Sequence, residues 1–386
     1  MEDEEGMTMG EMINWMGGWP KEGVLSAAEW EERTERCSAL GGAWRERDAE
    51  RLKEVLAQTE LLPTFGAAPS RIRIAAGADA AIEWTIGRLL QPGDAVLVER
   101  PTSRFALQSF RRAGVVPHDT PSDASGIEPD ALADSIRKLH PRLVYAAPDC
   151  TDPEGRRWTR ERKDALLRIC GETGTAVLLD ERQAILCEPR EAEDALRPLG
   201  DGMGAVVIRA GELPPGMVAG LRWGWLCVEG DEGDERIKEL LPRHSPSSQP
   251  LPFPGEGVSP AEQLAVLGLL EEGIEPLVNT LNFICRSRNG VLIEQLKKQR
   301  LEGLSWQEPQ RGMHMWLGLP EGLDGDALLR ASWLGGVLFQ PGGAFYASNP
   351  DRFKLRITVA HTEDRWIRIG VQRLGEAMSE FLGRWV

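Results

Sequence analysis

The stretch RLVYAAPDCTDPEGRRWTRERKDALL (Arg142–Leu167) contains a short apolar run, a loop with proline and glycine, and then a polar segment with helical periodicity. A continuous apolar run that precedes a helix is typical of a strand buried on both faces. The next apolar run, AVLLD (Ala176–Asp180), follows that helical segment. Two such strands joined through a helix are expected to be parallel, so this stretch predicts an α/β protein.

The same alternation extends over the chain from Arg71 to Val228. Five further apolar runs are predicted strands: RIRIAA (Arg71–Ala76), AVLVE (Ala95–Glu99), GVVPH (Gly114–His118), AVVIR (Ala205–Arg209) and WGWLCV (Trp223–Val228). Amphipathic segments at Ala80–Leu90, Arg104–Ala113 and Pro129–Leu139 separate several of them. We therefore expect a seven-stranded, mostly parallel sheet with helices on both faces.

The chain after this sheet is expected to return to helices and then form a smaller α+β unit. His244–Gly257 is rich in proline and polar residues and predicts a loop. Ser259 is expected to cap a helical region that reaches about Arg300. The predicted division is an N-terminal arm with part of the small domain (1–45), a large domain (46–279) and a small C-terminal domain (283–386).

Composition excludes several classes of protein. The formal charge of −15, from 60 acidic and 45 basic residues, disfavours binding to nucleic-acid phosphates. No stretch approaches the roughly 18 apolar residues of a membrane span, and the acidic N-terminus lacks the features of a signal peptide. The six cysteines are scattered, so neither a disulfide framework nor a metal site is predicted. We expect a soluble, cytoplasmic protein.

Several motifs, in the same order, resemble those of class I/II aminotransferases, enzymes of fold type I that depend on pyridoxal 5'-phosphate (PLP). They are IAAGADAAIEW (Ile74–Trp84), LLQPGDAVLVERPT (Leu89–Thr102), Arg142–Leu167, AVLLDERQ (Ala176–Gln183), GLRWGWL (Gly220–Leu226), VLFQPGGAFY (Val337–Tyr346) and KLRITVA (Lys354–Ala360). The nearest look-alike is the aminotransferase-like module of MocR-type proteins. The resemblance implies a large domain with the seven-stranded sheet, a small α+β domain, a homodimer, and PLP as cofactor.

The N-terminal segment INWMGGWP (Ile13–Pro20) resembles the arm that crosses the family's dimer and closes over its active site. Its two tryptophans, Trp15 and Trp19, are predicted to be exposed.

The resemblance assigns roles to five positions. Asp180 matches the carboxylate that keeps the cofactor's pyridine nitrogen protonated. Gly77 and Ala78 match the backbone donors to its phosphate, and Arg222 matches the phosphate-binding arginine. Arg356 matches the arginine that binds a substrate's α-carboxylate, although an arginine packed on a strand and paired with an acidic neighbour would give the same pattern.

The segment VVIRAGELPPGMVAGLRWGW (Val206–Trp225) departs from the family at its most important position, because it contains no lysine. The lysine that holds PLP as a Schiff base falls at Pro214 or Pro215, and the chain has no lysine between Lys163 and Lys238. A proline has no primary amine and cannot form the aldimine.

Other cofactor contacts also differ from the family pattern. Ser103 replaces the aromatic residue that stacks on the ring, and Gln183 replaces a tyrosine. Asp152 replaces the asparagine that bonds the phenolic oxygen, and Asp79 places a negative charge where the phosphate is expected.

These departures lead to a hypothesis that separates fold from chemistry. We expect a pseudoenzyme that does not transaminate and serves as a binding or partner subunit for a small amino-acid-like ligand. Covalent PLP is not expected, and any binding of PLP should be weak. Two alternatives stay open: an active enzyme that uses non-covalent PLP or pyridoxamine phosphate, and an aminotransferase acting on a small amino acid if the lysine alignment is wrong.

Overall fold

The computed structural model describes residues 12–20, 23–39, 46–186, 204–231, 234–240, 258–309 and 312–383. Its strands are β1 (Ile13–Asn14), β2 (Ile72–Ala75), β3 (Ala95–Glu99), β4 (Val116–Thr120), β5 (Ser122–Asp123), β6 (Gly126–Ile127), β7 (Leu143–Ala146), β8 (Ala176–Asp180), β9 (Val207–Glu212), β10 (Gly224–Glu229), β11 (Ser305–Trp306), β12 (His314–Gly318), β13 (Val337–Leu338), β14 (Gln340–Pro341) and β15 (Lys354–Thr358). Its α-helices are α1 (Ala27–Ala39), α2 (Glu46–Gln58), α3 (Ala78–Leu89), α4 (Arg104–Arg112), α5 (Pro129–Leu139), α6 (Arg160–Thr173), α7 (Glu235–Leu240), α8 (Pro260–Glu272), α9 (Glu275–Gln299), α10 (Gly325–Leu334) and α11 (Asp364–Gly383).

The central sheet has seven strands in the order β2-β10-β9-β8-β7-β3-β4. Strand β10 is antiparallel to both neighbours, and the other adjacent pairs are parallel. The predicted α/β class and mostly parallel seven-stranded sheet are therefore confirmed. Strand β9 extends three residues beyond its predicted end at Arg209, which places Glu212 at the carboxyl edge of the sheet.

A second sheet, in the order β11-β12-β15-β14, is antiparallel throughout and packs with α9, α10 and α11. The predicted helical region after Ser259 begins with a capping box between Ser259 and Glu262. It is two helices, not one, because Gly273 adopts a φ of 95° that ends α8. The predicted loop at His244–Gly257 lies outside the described residues.

Helix α9 connects two hydrophobic clusters. Its first half contributes Val278 and Leu281 to the cluster beside the main sheet, and its second half contributes Leu292 and Leu296 to the cluster of the second sheet. The helix runs without a break through residues 279–283, so the domain boundary placed there stays a prediction. No helix in the described ranges is long and apolar enough to cross a lipid bilayer.

The N-terminal segment is bound to the smaller sheet region, because β1 pairs in parallel with β13. The prediction that Trp15 is exposed is wrong: its side chain has no solvent exposure and lies against Gly370 of α11. Glycine provides the space, since a Cβ atom at Gly370 would lie under 3.0 Å from the Trp15 ring. Trp19 is partly buried and reaches the site described below.

Replacing Gly370 with alanine is expected to lower the free energy of unfolding by about 1–3 kcal/mol, because the new methyl group would overpack the indole. Gly290 of α9 is the matched control, since a Cβ atom there meets nothing within 4 Å. Gly290→Ala should raise stability by up to about 1 kcal/mol through helix propensity. Urea denaturation of both variants measures the difference, and equal effects of the two substitutions would contradict the Trp15 packing.

Candidate functional site

A cavity of about 430 Å³ lies at the carboxyl edge of the central sheet. Its walls include residues from the segments that follow strands β2, β3, β7, β8 and β9, together with the N-terminal segment 16–19 and parts of the second sheet. Open α/β sheets bind ligands at this edge, because the loops that leave the parallel strands converge there.

The structure brings most of the predicted site residues to this cavity. Those that line it are Gly77, Ser103, Asp152, Gln183, Pro215, Arg222 and Arg356. Asp180 and Ala78 lie directly behind the lining residues Arg182 and Glu212, to which they are hydrogen-bonded. Pro214 precedes Pro215 in the loop after β9, and its carbonyl accepts a hydrogen bond of 2.8 Å from the amide of Met217.

Arg182 covers Asp180 on the cavity side. The arginine Nε atom lies 2.9 Å from each carboxylate oxygen of Asp180, and Nη1 donates to Asp79 at the start of α3. The guanidinium also stacks on the ring of Phe105, 5.1 Å from its centroid. Burial disfavours the charge on Arg182, but the two carboxylates outweigh burial and raise its pKa well above the ordinary value.

Tyr145 of β7 completes the surroundings of Asp180. Its hydroxyl donates to the second carboxylate oxygen of Asp180 at 2.6 Å. Burial, together with the neighbouring Asp180 charge, raises the tyrosine's pKa, so the hydroxyl keeps its proton and acts as the donor. Both oxygens of Asp180 are therefore hydrogen-bonded within the chain.

Glu212 lies at the N-terminus of α3. Its Oε2 atom accepts a hydrogen bond of 3.0 Å from the amide of Ala78, one of the two backbone donors that the resemblance assigns to phosphate. Burial raises the pKa of Glu212 to about 7, although the charge of Arg182 opposes the shift. A carboxyl group of this chain thus accepts the hydrogen bond of a backbone amide that could otherwise bind an anion at the start of the helix.

Arg356 of β15 forms an ion pair with Asp152 and stacks on Phe345, 4.9 Å from the ring centroid. Burial opposes ionisation of Asp152, but Arg356 holds the aspartate's pKa below its usual value. The adjacent His314 bonds Thr358 at 2.7 Å, and burial with the Arg356 charge lowers the histidine's pKa to about 3. Arg356 is thus paired with an acidic residue, and its predicted role in binding a substrate's α-carboxylate stays a prediction.

No lysine lines the cavity, within the ranges that the structure describes. Lys163 is buried in an ion pair of 2.8 Å with Asp149, and Lys238 is exposed and pairs with Glu235 at 2.6 Å. The two lysines that flank the proline loop in sequence are therefore held elsewhere. Arg222 lines the cavity and forms no ion pair with any described residue.

Sequence analysis missed Arg182, Glu212 and His314 as site residues. Arg182 lies two positions after Asp180 in the quoted motif, but its type has no counterpart in the family pattern. Glu212 was missed because the strand before it was predicted to end too early. Among the described residues, no group of three histidine, cysteine or acidic side chains is placed to hold a metal ion.

Comparison with known proteins supports the assignment of the fold. Residues 56–209 match the family model for aminotransferase class I and II. A 2-aminoadipate transaminase of Thermus thermophilus is 26% identical over 82% of this chain and 78% of its own length. An uncharacterized HTH-type transcriptional regulator of Bacillus subtilis, YdfD, is 22% identical over 86% of this chain and 66% of its own length.

Solved structures show the same fold. The crystal structure of LysN, an alpha-aminoadipate aminotransferase from Thermus thermophilus, superposes with a TM-score of 0.79 at 24% identity, over 97% of this chain and 93% of that one. An archaeal alanine:glyoxylate aminotransferase superposes with a TM-score of 0.79 at 23% identity, over 96% and 91%. The predicted resemblance to PLP-dependent class I/II aminotransferases, with fold type I, is confirmed.

The raised pKa of Glu212 predicts a specific pH dependence of stability. An acid whose pKa is higher in the folded state than its ordinary 4.5 stabilises the fold fully below 4.5, and this contribution is lost as pH rises through about 7. Burial raises the pKa of Glu99 to about 7 as well, so the wild type loses stability through both groups.

In Glu212→Gln, the free energy of unfolding should fall between about pH 5 and about pH 7.5 by about 1–3 kcal/mol less than in the wild type, because glutamine keeps the acceptor for Ala78 and does not ionise. Urea denaturation at about pH 5 and about pH 7.5 measures this fall. Glu99→Gln is the control that removes the other acid and leaves the cavity unchanged. A loss in Glu212→Gln equal to that of the wild type would contradict the assigned shift.

Proposed function

We propose that this protein, which has the fold of the class I/II aminotransferases and is related to them in sequence, does not transaminate and serves as a binding or partner subunit. The observation that supports the proposal is the cavity wall, which is lined by Pro215, one of the two prolines that the resemblance aligns with the family's lysine, and which contains no lysine among the described residues. Fold alone does not determine function, so the chemical groups present at the site decide which reaction it can support.

Transamination requires an amine to exchange the cofactor between enzyme and substrate, and a base to move the α-proton. In this family one lysine performs both tasks. His314 also lines the cavity, but its low pKa makes it a poor proton acceptor, and its ring is bonded to Thr358. Lys163 and Lys238 are paired away from the cavity, which argues against a functional lysine at a shifted position.

The residues present do not fit PLP at its three polar anchors. The carboxylate for the pyridine nitrogen, Asp180, is already bonded by Arg182 and Tyr145. Asp152 is ionised where the phenolic oxygen would lie, and like charges repel. At the position assigned to the phosphate, the Ala78 amide already donates its hydrogen bond to the Glu212 carboxyl. We therefore expect weak binding of PLP or none.

A second candidate is non-covalent binding of PLP or pyridoxamine phosphate. It is favoured by Arg222, which lines the cavity and has no ion-pair partner among the described residues. The phosphate of either cofactor would have to displace the Glu212 carboxyl from the start of α3. A small amino-acid-like ligand, bound without the cofactor, is the occupant that we favour for the leading proposal.

We also propose a homodimer in the cytoplasm. The family resemblance supports this assembly. Light scattering at micromolar concentration should give about twice the chain mass of 42.6 kDa. A mass of one chain at every concentration tested would contradict the dimer.

The central prediction is that added PLP forms no aldimine absorption band and that borohydride traps no pyridoxyl-lysine detectable by mass spectrometry. The Thermus thermophilus transaminase, treated identically, is the positive control. Pro215→Lys should also fail to transaminate, because Asp180, Asp152 and the start of α3 still lack the cofactor's contacts. Turnover of amino acids by the wild type, with a trapped lysine identified, would overturn the proposal.

A further inference from the structure

The surroundings of Arg182 form a complete binding site for a flat cation. Carboxylates of Asp180 and Asp79 meet two edges of the guanidinium, and the ring of Phe105 covers one face. Carboxylates on the edges and an aromatic ring on a face are the two features by which proteins recognise planar organic cations.

The occupant of this site comes from the chain itself. Arg182 follows Asp180 by two residues, and its own amide also donates to Asp180 Oδ1 at 3.2 Å. Its side chain is 20% exposed and lines the cavity, whereas the Asp180 side chain is only 3% exposed. The arginine therefore lies between the buried carboxylate and any molecule that enters the cavity.

The charge balance makes this arrangement necessary. Without the Arg182 side chain, the buried Asp180 would keep the hydroxyl of Tyr145 and the backbone amide of residue 182 as hydrogen-bond donors, but it would lose the ion pair with the guanidinium. An ionised carboxylate in such a place is strongly destabilising unless a cation pairs with it. Arg222 also lines the cavity, but it forms no ion pair with Asp180.

We propose that Arg182 is a built-in ligand that fills a planar-cation subsite of this protein and thereby closes Asp180 to external molecules. Removal of the side chain would open a site for a planar organic cation of the guanidinium or amidine class. This inference deepens the proposed function, because it identifies the residue that closes the family's cofactor position. It does not depend on whether PLP binds elsewhere in the cavity.

The test is chemical rescue of stability. Arg182→Ala should lower Tm by several degrees, and guanidinium at about 10 mM, far below denaturing concentrations, should restore at least half of the loss. The wild type should show no increase, because its site is filled. Arg168→Ala is the matched control, since the one ion pair of Arg168 with a described residue is an exposed pair with Glu172, and the variant should neither lose stability nor respond.

A double variant separates pairing from general damage. Asp180→Asn with Arg182→Ala removes the buried charge together with its partner, so it should be more stable than Arg182→Ala and insensitive to guanidinium. If Arg182→Ala does not fold, recovery of folding in the double variant supports the proposal. An unchanged Tm in Arg182→Ala, a loss without rescue, or a double variant no more stable than the single would overturn it.

The stability measurement needs no cofactor, so its outcome is independent of the outcome of the borohydride experiment. Rescue combined with a trapped lysine would overturn the proposed function and keep the role of Arg182. Absence of rescue combined with absence of an adduct would overturn the role of Arg182 and keep the proposed function.

Discussion

The ion pair between Arg182 and Asp180 is the interaction on which the rest of the site depends. Asp180 ends the central strand β8 and is nearly excluded from solvent, so its charge requires a partner inside the protein. Arg182 satisfies it and at the same time reaches Asp79 of α3 and Phe105 of α4. One guanidinium thus contacts β8, α3 and α4 at the carboxyl edge of the sheet.

The same edge carries carboxyl groups that are hydrogen-bonded or ion-paired within the chain. The strands and the turn before α3 have the fold of the class I/II aminotransferases, and carboxyl groups of this chain stand at two positions that the resemblance assigns to the phosphate and the phenolate. Glu212 bonds the α3 amide, and Asp152 pairs with Arg356. Each of these side chains satisfies a polar partner inside the chain, so the buried polar groups of the cavity wall are paired.

The N-terminal segment lines the cavity, and both backbone pairing and side-chain packing hold it in place. Strand β1 pairs with β13, and Trp15 fills the space above Gly370. The carbonyl of Met16 then accepts hydrogen bonds from Gln340 and Arg356. The packing of one tryptophan therefore positions the wall of a site to which it does not itself belong.

The sequence by itself determined the α/β class, the seven strands and the proline loop without lysine, because periodicity and turn residues are local properties. The convergence of most predicted site residues was implied by the resemblance of the motifs to the aminotransferase family. Only the tertiary structure decided that Arg182 covers Asp180, that Glu212 bonds Ala78, and that Trp15 is buried. Asp79 and Arg182, or Ala78 and Glu212, are more than a hundred positions apart in the chain. Their pairing depends on where strands end and how side chains fill the space between them, and no local pattern contains that information.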